Sequence, residues 1–383
     1  MEKCKVSELC GGCSYQGLPY KRQLEIKQEK VNKLLANFHR VEDIIGMSDP
    51  YHYRNKVQVS FGKIGNRILV GNYVPSTHQI VECDECQISD EIAYKIINSI
   101  KRLVIKYHIS IFDENVYKGC MRHILIRTSS LNQYMVVLVT GSININKKDL
   151  FISDLLKYNP EITTIVQNIN NQRTSMILAD KNITIYGKGY IEDKLCDRYF
   201  KISPNSFYQV NKRQTEILYK TALNLAQLKK NELIIDAYCG TGTIGIIASD
   251  RVAKVLGVEL NSRAIKDALS NLKRNKIDNV EFICEDAGKY MEYLSKQKIQ
   301  IDTVIMDPPR AGSDYKFMNS MVKLRPKKIL YISCNPVTLK DNLNYLSKFY
   351  KVEKIQPVDM FPFSEHVETV VQLSKGDIDR GKF

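Results

Sequence analysis

The sequence predicts an α/β fold in which a sheet that alternates with helices, in the carboxyl-terminal half, follows a β-rich region and a short cysteine-rich segment. Two observations lead to this class. Apolar runs in the carboxyl-terminal half each end at polar residues, and the first of them leads into a glycine-rich turn that opens a helix. Ahead of them, runs such as 57–61 and 134–139 are rich in valine and predict the strands of a separate region.

The glycine-rich turn, Gly240-Thr241-Gly242-Thr243-Ile244-Gly245, follows the strand predicted at 233–237. Its glycines permit a tight turn and close approach of the backbone to a ligand, as in nucleotide-type cofactor sites. Asp236, just before it, would repel a pyrophosphate but suits the positively charged amino and sulfonium groups of S-adenosylmethionine. Glu259 ends the next strand, where a ribose diol is usually held, and Asp286 ends the third, where the adenine is expected. Together these positions predict an S-adenosylmethionine site.

Cys334 follows the apolar run 328–333 and precedes the turn-forming Asn335-Pro336. Open α/β sheets hold their ligands at that edge, so a nucleophile is expected there, whereas an isolated cysteine elsewhere is usually a core residue. The motif Asp307-Pro308-Pro309-Arg310 ends the fourth strand, and amino-group methyltransferases carry an aromatic residue where this chain has Arg310. A cation there suits a developing enolate better than an amine, which favours carbon methylation with Cys334 as a covalent helper.

Cys4, Cys10 and Cys13 form a second constellation at the amino terminus, and a fourth ligand would come from Cys83 or Cys86. The sequence has no signal peptide and no apolar stretch of about 18 residues, so we expect a cytoplasmic protein without membrane association, in which disulfides are disfavoured. A metal remains. Zinc would pair Cys10 and Cys13 with Cys83 and Cys86, whereas three grouped cysteines with a distant fourth favour an iron–sulfur cubane.

The composition favours a polyanionic partner, because the formal net charge is +14 over 383 residues. Basic residues stand beside aromatic ones at 51–56 and among apolar ones at 121–127, and both groups are either RNA-contacting or strands with solvated polar faces. A lysine-rich stretch from Tyr20 to Lys33 predicts an exposed amphipathic helix.

Together the motifs resemble the S-adenosylmethionine-dependent RNA 5-methyluridine (uracil-C5) methyltransferases, over nearly the whole chain. The resemblance rests on 307–310, 333–336, the segment 206–211 and the closing segment 359–368. It implies a Rossmann-like methyltransferase domain with Cys334 as nucleophile and Glu368 as general base. The cofactor site that it implies consists of Gln209, Tyr238, Thr243, Glu259, Asp286 and Asp307. Thr243 stands where members often carry Asn.

The resemblance also implies a [4Fe-4S] cluster on Cys4, Cys10, Cys13 and Cys86, since the pattern at 78–81 followed by Cys-x-Ile selects Cys86 over Cys83. Many relatives begin with a small β-barrel RNA-binding module ahead of the cysteines, whereas Cys4 lies near the start of this sequence. We therefore expect the form without that module, directed at 23S ribosomal RNA, with transfer RNA as the alternative.

The chemistry of uracil demands the same residue types. C5 is a poor nucleophile, so a thiolate must first add at C6, and Cys334 can supply it. A base must then remove the C5 proton, for which Glu368 is the candidate and Glu365 and His366 are rivals nearby in sequence. The target base must leave its stack, because C6 cannot be reached in a helix.

We expect three regions and a monomer. Residues 1–48 would hold the cluster-binding cysteines and a helix, residues 49–200 a β-rich RNA-binding region that supplies the fourth cysteine, and residues 201–383 the catalytic domain. Two alternatives remain at this point: a methyltransferase acting on nitrogen, which Cys334 and Arg310 disfavour, and a non-catalytic RNA-binding iron–sulfur protein. The second is disfavoured because Asp236, Cys334 and Glu368 are all present.

Overall fold

A computed structural model describes residues 3–77 and 79–376 of the chain. His78, part of the motif that selects Cys86, lies outside the described residues. The helices are α1 (Ser7–Cys10), α2 (Tyr20–Leu35), α3 (Glu91–Lys106), α4 (Lys148–Tyr158), α5 (Lys212–Ala226), α6 (Thr243–Ala248), α7 (Ser262–Arg274), α8 (Ala287–Lys296), α9 (Tyr315–Leu324) and α10 (Pro336–Leu346). Among the residues described, no helix is long and apolar enough to cross a membrane.

The strands of the amino-terminal half are β1 (Lys56–Ile64), β2 (Arg67–Tyr73), β3 (Ile80–Glu82), β4 (Met121–Thr128), β5 (Tyr134–Thr140), β6 (Ile162–Ile169), β7 (Asn182–Tyr186), β8 (Ile191–Leu195) and β9 (Arg198–Ile202). Those of the carboxyl-terminal half are β10 (Leu233–Ala237), β11 (Lys254–Glu259), β12 (Val280–Cys284), β13 (Thr303–Met306), β14 (Lys328–Ser333), β15 (Tyr350–Val358) and β16 (Glu368–Lys375). The strands expected at 57–61 and 134–139 are confirmed as β1 and β5.

The chain forms two compact units that alternate along the sequence. The first unit contains the residues up to Gly17 together with Asp49–Lys194 and Lys201–Lys212. The second contains Leu18–Ser48, Leu195–Phe200 and the chain from Arg213 onward. The region expected at 1–48 is therefore divided, because its cysteines belong to the first unit and helix α2 to the second.

The sheet of the first unit has the order β3-β2-β1-β4-β5-β6-β7. Neighbouring strands are antiparallel except β5 and β6, which α4 connects as a parallel pair requires. Helix α3 packs against α4, β2 and β4, and its side chains Ile96 and Ile100 lie in one core with Ile124 and Val136. Every residue of β4 and β5 is buried, so neither strand shows the alternation of a half-solvated sheet.

This burial decides how the basic group at 121–127 is used. Arg122 and Arg127 lie in β4 and are each 4% exposed. The Arg122 side chain donates to both Glu114 carboxylate oxygens and to the Asn170 carbonyl, while the Arg127 guanidinium donates to the Ser206 carbonyl. These arginines hold loops within the first unit. The basic residues of β4 therefore do not form an RNA-contacting surface.

The sheet of the second unit has the order β12-β11-β10-β13-β14-β16-β15. Strands β10 to β14 are parallel, and β16 runs antiparallel to both β14 and β15. The strand order reverses between β10 and β13, which is where open α/β sheets bind their ligands. Val41 and Ile45 form single bridges with β15 and so cover its outer edge.

Helix α2 forms where the lysine-rich pattern predicts a helix, but the expectation that it is exposed is wrong on one face. It packs against α10 and β15, and it buries Gln23, Lys27, Val31 and Leu35. The four-residue spacing of these positions places them on one side of the helix. Gln23 and Lys27 are polar, so a search for a stripe of apolar residues does not predict that this face is buried.

Candidate active site

The carboxyl edge of the second sheet collects the predicted site residues. The glycine-rich turn follows β10, Glu259 ends β11, Asp286 follows β12, Asp307 follows β13 and Cys334 follows β14. Glu368 reaches the same edge by another route, because β16 is antiparallel and begins there. Ser333 pairs with Thr369 in this antiparallel register. Cys334 follows Ser333 and Glu368 precedes Thr369, so the two residues lie next to each other at this edge of the sheet.

The turn after β10 depends on glycine. Gly240 and Gly242 have φ values of 54° and 79°, in the left-handed region that glycine occupies without a steric penalty. A Cβ at Gly242 would lie 2.3 Å from Cζ of Phe282, so the ring of β12 also requires glycine at this position. The Gly240 amide donates to one Glu259 carboxylate oxygen (3.1 Å), and the Asn261 amide donates to the other (2.8 Å). Glu259 thus ties the turn to the end of β11, and its oxygens still have lone pairs for a diol.

Asp236 differs from its expected role. It is 1% exposed, and its Oδ2 accepts a bond from the Gly245 amide at 2.7 Å. Burial raises the pKa of Asp236 to about 7, with Asp307 and Glu259 adding to the rise. The side chain therefore secures the first turn of α6 beneath the glycines, and only Oδ1 is left without a partner among the described residues.

Tyr238, Thr243 and Asp286 surround this turn. Tyr238 donates to the Ser313 hydroxyl (3.3 Å), and its ring centroid lies 4.9 Å from that of Phe317. Asp286 caps α8, its Oδ1 accepting from the Lys289 amide. The Thr243 hydroxyl lies 3.3 Å from that of Thr241, at the start of α6.

Cys334, Glu368 and Asp307 form the acidic end of the site. Burial raises the pKa of Cys334 to about 11, with further contributions from Glu368 and Asp307, while the Arg310 cation opposes the rise. Burial also raises the pKa of Glu368 to about 8, aided by Asp307, and that of Asp307 to about 7. A carboxyl whose pKa lies near neutrality can exchange a proton at physiological pH, as a general base must.

The turn that carries Cys334 is fixed to the loop after β13. Asn335 caps α10, its Oδ1 accepting from the Val337 amide, and its Nδ2 donates to the Arg310 carbonyl (3.2 Å). The Thr338 hydroxyl donates to the same carbonyl (3.3 Å). Asn342 accepts from the Ser313 amide and donates to the Ser313 carbonyl, which holds the other end of this loop.

The two rival bases are less suited to the role. Glu365 is exposed, and His366 is half-buried beside the Phe361 ring. Burial lowers the pKa of His366, and the Arg310 cation lowers it further. Glu368 is 5% exposed, and its charge is among the largest contributions that raise the pKa of Cys334.

Gln209 lies in the first unit. Its carbonyl accepts from Asn55 Nδ2 (3.0 Å), and the Val210 carbonyl accepts from the Asn55 amide (2.9 Å). The motif at 51–56 and the segment 206–211, far apart in sequence, are thus joined within one unit. A contact of Gln209 with the cofactor stays a prediction.

The cysteines expected to hold a metal line one cavity of the first unit. Cys4, Cys10, Cys13, Cys83 and Cys86 all face this cavity of about 440 Å³. The Cys83 thiol donates to the Glu85 carbonyl at 2.6 Å, and Asn72 Nδ2 donates to the Cys10 sulfur at 3.3 Å. Within the described ranges, no three or more His, Cys, Asp or Glu side chains are arranged to hold a single metal ion as they stand.

A parallel sheet with a glycine-rich turn and acidic strand ends defines an S-adenosylmethionine-dependent methyltransferase of the Rossmann-like class. The chain belongs to the tRNA (uracil-5-)-methyltransferase family, and the sequence model of this family matches residues 19–376. The predicted fold class and family are thereby confirmed, and the protein is an S-adenosylmethionine-dependent RNA methyltransferase of the uracil-C5 type.

Relatives and one solved structure agree with this assignment. The chain is 41% identical over 377 residues to an uncharacterized RNA methyltransferase of Clostridium tetani (strain Massachusetts / E88), covering 97% of this chain and 82% of the relative. It is also 41% identical to one of Staphylococcus aureus (strain MRSA252), with 96% and 83% covered. The structure is similar to that of the Pyrococcus abyssi tRNA (uracil-54, C5)-methyltransferase in complex with S-adenosyl-L-homocysteine. The TM-score is 0.80 at 28% identity, covering 95% of this chain and 86% of that one.

Sequence reasoning missed the polar contacts of α2 with the residues just before Glu368. Tyr20 donates to Asp359 Oδ2 (2.8 Å), and Lys27 donates to Asp359 Oδ1 (2.6 Å). The available signal was the regular spacing of polar residues at 20, 23, 27 and 30, which places them on one helix face.

Proposed function

We propose that the protein methylates C5 of a uridine in RNA through a covalent bond between Cys334 and uracil C6. The observation that carries the proposal is the pairing of β14 with β16, which brings the thiol of Cys334 beside a buried carboxyl, Glu368. A thiol adjacent to a base whose pKa lies near 8 provides the nucleophile and proton acceptor that C5 alkylation needs.

The residues act in sequence. The Cys334 thiolate bonds to C6, and the electron pair of the C5–C6 double bond moves toward O4. S-Adenosylmethionine, when bound, would supply an electrophilic methyl group. C5 would form a bond to that methyl as the methyl–sulfur bond breaks and its electron pair stays on sulfur, which leaves S-adenosylhomocysteine. Glu368 then accepts the C5 proton, the C6–sulfur bond breaks with its electron pair returning to sulfur, and the double bond is restored. Arg310 favours both the thiolate and the developing enolate oxygen by its charge.

In the cofactor site, we assign the ribose diol to Glu259 and the adenine side to Asp286, with Tyr238 and Thr243 at the glycine-rich turn. Asp307 is placed after β13, close enough to Cys334 and Glu368 to raise the pKa of both. Its carboxylate suits the positive charge of the methyl donor, because a cation favours the ionised form of a buried carboxyl. Gln209 completes the set that we propose.

The RNA that we expect is 23S ribosomal RNA, as the family resemblance implies. Transfer RNA is the second candidate, and the similarity to the Pyrococcus abyssi tRNA (uracil-54, C5)-methyltransferase favours it. Methyl transfer from labelled S-adenosylmethionine to unmodified ribosomal and transfer RNA, with nucleoside mass spectrometry and fragment mapping, separates the two. No 5-methyluridine on either RNA from anaerobically prepared protein would overturn the proposal.

Two variants test the roles of the reacting residues. We expect Cys334→Ala to abolish 5-methyluridine formation, and Glu368→Gln to accumulate an RNA–protein adduct that survives denaturing electrophoresis. Cys196→Ala is the matched control, since Cys196 is also partly exposed and burial raises its pKa to about 11 as well. Full activity of Cys334→Ala would contradict the role of nucleophile, and full activity of Glu368→Gln would contradict the role of base.

We also propose that Cys4, Cys10, Cys13 and Cys86 hold a [4Fe-4S] cluster. The cavity that they line is far larger than one ion needs, since a single water occupies about 30 Å³. Cys83 uses its thiol in a bond to the Glu85 carbonyl, which supports Cys86 as the fourth ligand. Such a cluster supplies four thiolate-bound irons.

Anaerobic preparation followed by iron and sulfide analysis tests the cluster. We expect Cys86→Ser to lose the iron and Cys83→Ser to retain it. Stoichiometric zinc in a colourless protein would establish the zinc alternative. Loss of iron in Cys83→Ser but not in Cys86→Ser would show that Cys83, and not Cys86, is the fourth ligand.

A further inference from the structure

Four polar side chains of α2 reach the β15–β16 loop (residues 359–367), which immediately precedes Glu368. Tyr20, Gln23, Lys27 and Lys30 follow the three- and four-residue spacing of one helix face. Besides the two bonds to Asp359, Lys27 donates to the Phe361 carbonyl (3.0 Å), Gln23 accepts from the Phe363 amide (2.8 Å), and Lys30 donates to the Glu365 carbonyl (3.3 Å). We call these four residues the α2 polar stripe.

The centre of this network is a fully buried ion pair. The side chains of Lys27 and Asp359 are both 0% exposed, with Nζ and Oδ1 2.6 Å apart. Asp359 Oδ1 also accepts from the Phe361 amide at 3.1 Å. A buried pair gives little net stability over apolar residues of similar size, because desolvation offsets the attraction. The pair does fix the orientation of the Asp359 side chain, since each carboxylate oxygen accepts a hydrogen bond from an identified donor.

The loop that the stripe holds ends at the proposed base. Val358 pairs with Glu368, so these two residues close the β15–β16 hairpin, with Asp359 at one side of the loop and Glu365 at the other. Glu368 is the first residue of its strand, and strand ends open more readily than strand centres. Contacts at both sides of the loop restrain this end.

We infer that Tyr20, Gln23, Lys27 and Lys30 are positioning residues that orient Glu368 for removal of the C5 proton. This inference rests on the proposed function. The contacts of the stripe lie along the loop that ends at Glu368, so we expect it to act on the proton-removal step and to leave methyl transfer largely intact.

The test separates the two steps in single turnovers with labelled S-adenosylmethionine. The double variant Lys27→Met/Asp359→Asn neutralises the pair and keeps polar atoms for Tyr20 and Phe361. We expect methyl incorporation within about threefold of wild type, and decay of the covalent RNA adduct slowed on the order of 10- to 100-fold, as a misplaced catalytic group would cause. Tyr20→Phe and Lys30→Met, which each remove one contact, give smaller delays and keep the test valid if the double variant does not fold.

Two controls distinguish positioning from general stability. Lys33→Met changes an exposed lysine of the same helix and should leave both steps unchanged. In a Glu368→Gln background, the stripe substitutions should slow adduct decay no further, because they act through Glu368. Normal adduct decay in folded stripe variants overturns the inference. Absence of any adduct in wild type and in Glu368→Gln would instead overturn the proposed function.

Discussion

Glu368 shows how burial sets the protonation of a single residue and links it to stability. Burial and Asp307 raise its pKa to about 8, whereas an unfolded chain releases the same proton near pH 4.3, roughly the value for free Glu. Between these values the native state holds a proton that the unfolded state has lost, so stability falls as the pH rises through this window. Below this pH window Glu368 is protonated in both the native and the unfolded state, so it no longer makes stability depend on pH.

We therefore predict that Glu368→Gln gains stability relative to wild type as the pH rises from about 5 to about 9, by on the order of 3 kcal/mol without ligands. The measurement is the free energy of unfolding by denaturant at both pH values. The exposed Glu365→Gln is the control and should follow the wild-type curve. Parallel curves for Glu368→Gln and wild type would show that Glu368 is ionised in the folded protein.

Arg310 acts on the nucleophile through its charge. Its cation lowers the pKa of Cys334 against the effects of burial, Glu368 and Asp307. We predict that Arg310→Met slows alkylation of Cys334 by iodoacetamide about three- to tenfold near neutral pH, because less thiolate is present. The exposed Cys284 of the same protein is the internal control and should react at an unchanged rate. Faster alkylation of Cys334 in the variant would mean that Arg310 does not lower the pKa of this thiol.

At the scale of single elements, the turn after β10 contains two glycines, Gly240 and Gly242, that differ in the space available for a side chain. Both have positive φ, which costs an alanine about 1–2 kcal/mol. A Cβ at Gly240 meets nothing within 4 Å, whereas a Cβ at Gly242 would collide with Phe282. We predict that Gly242→Ala lowers the free energy of unfolding by at least about 1 kcal/mol more than Gly240→Ala. Equal losses in chemical denaturation would mean that Phe282 moves aside freely.

The amino-terminal segment 3–17 is an element without a buried residue, although Val6 packs against the core of the first unit. Its helix α1 spans four residues. Among the side-chain contacts of this part of the chain, Gln16 with Gln87 and Asn72 with Cys10 join it to the rest of the first unit. The proposed cluster would add to this attachment by joining Cys4, Cys10 and Cys13 to Cys86, since metal binding and folding are coupled in such segments.

We predict that removing iron by oxidation and chelation makes trypsin cleave after Lys3 and Lys5 at least about tenfold faster, with mass spectrometry as the readout. Cleavage after the exposed Lys298, in the second unit, should be unaffected. Equal protection of the segment with and without iron would show that it is held by protein contacts.

At the scale of the whole molecule, the second sheet was more predictable than the first. Four of the five parallel strands are largely buried apolar runs, and β12 is a partly exposed edge strand. A candidate site residue stands at or just after the carboxyl end of each, so positions such as Glu259, Asp286 and Cys334 could be assigned locally. β4 and β5 are equally buried, but the strand order of the first sheet and the burial of Arg122 in β4 depend on pairings between distant segments. No local pattern records such pairings.

The sequence by itself determined the parallel strands, the glycine-rich turn, the likeness to uracil-C5 methyltransferases and the residues at the strand ends, because these follow from short-range periodicity and backbone geometry. Only the tertiary structure decided that Asp236 supports its turn, that α2 buries a lysine, and that an antiparallel β16 brings Glu368 beside Cys334. Each of these depends on the burial of polar groups between segments far apart in the chain. Such burial is favourable only when partners such as Lys27 and Asp359 meet, and the fold alone determines which partners do.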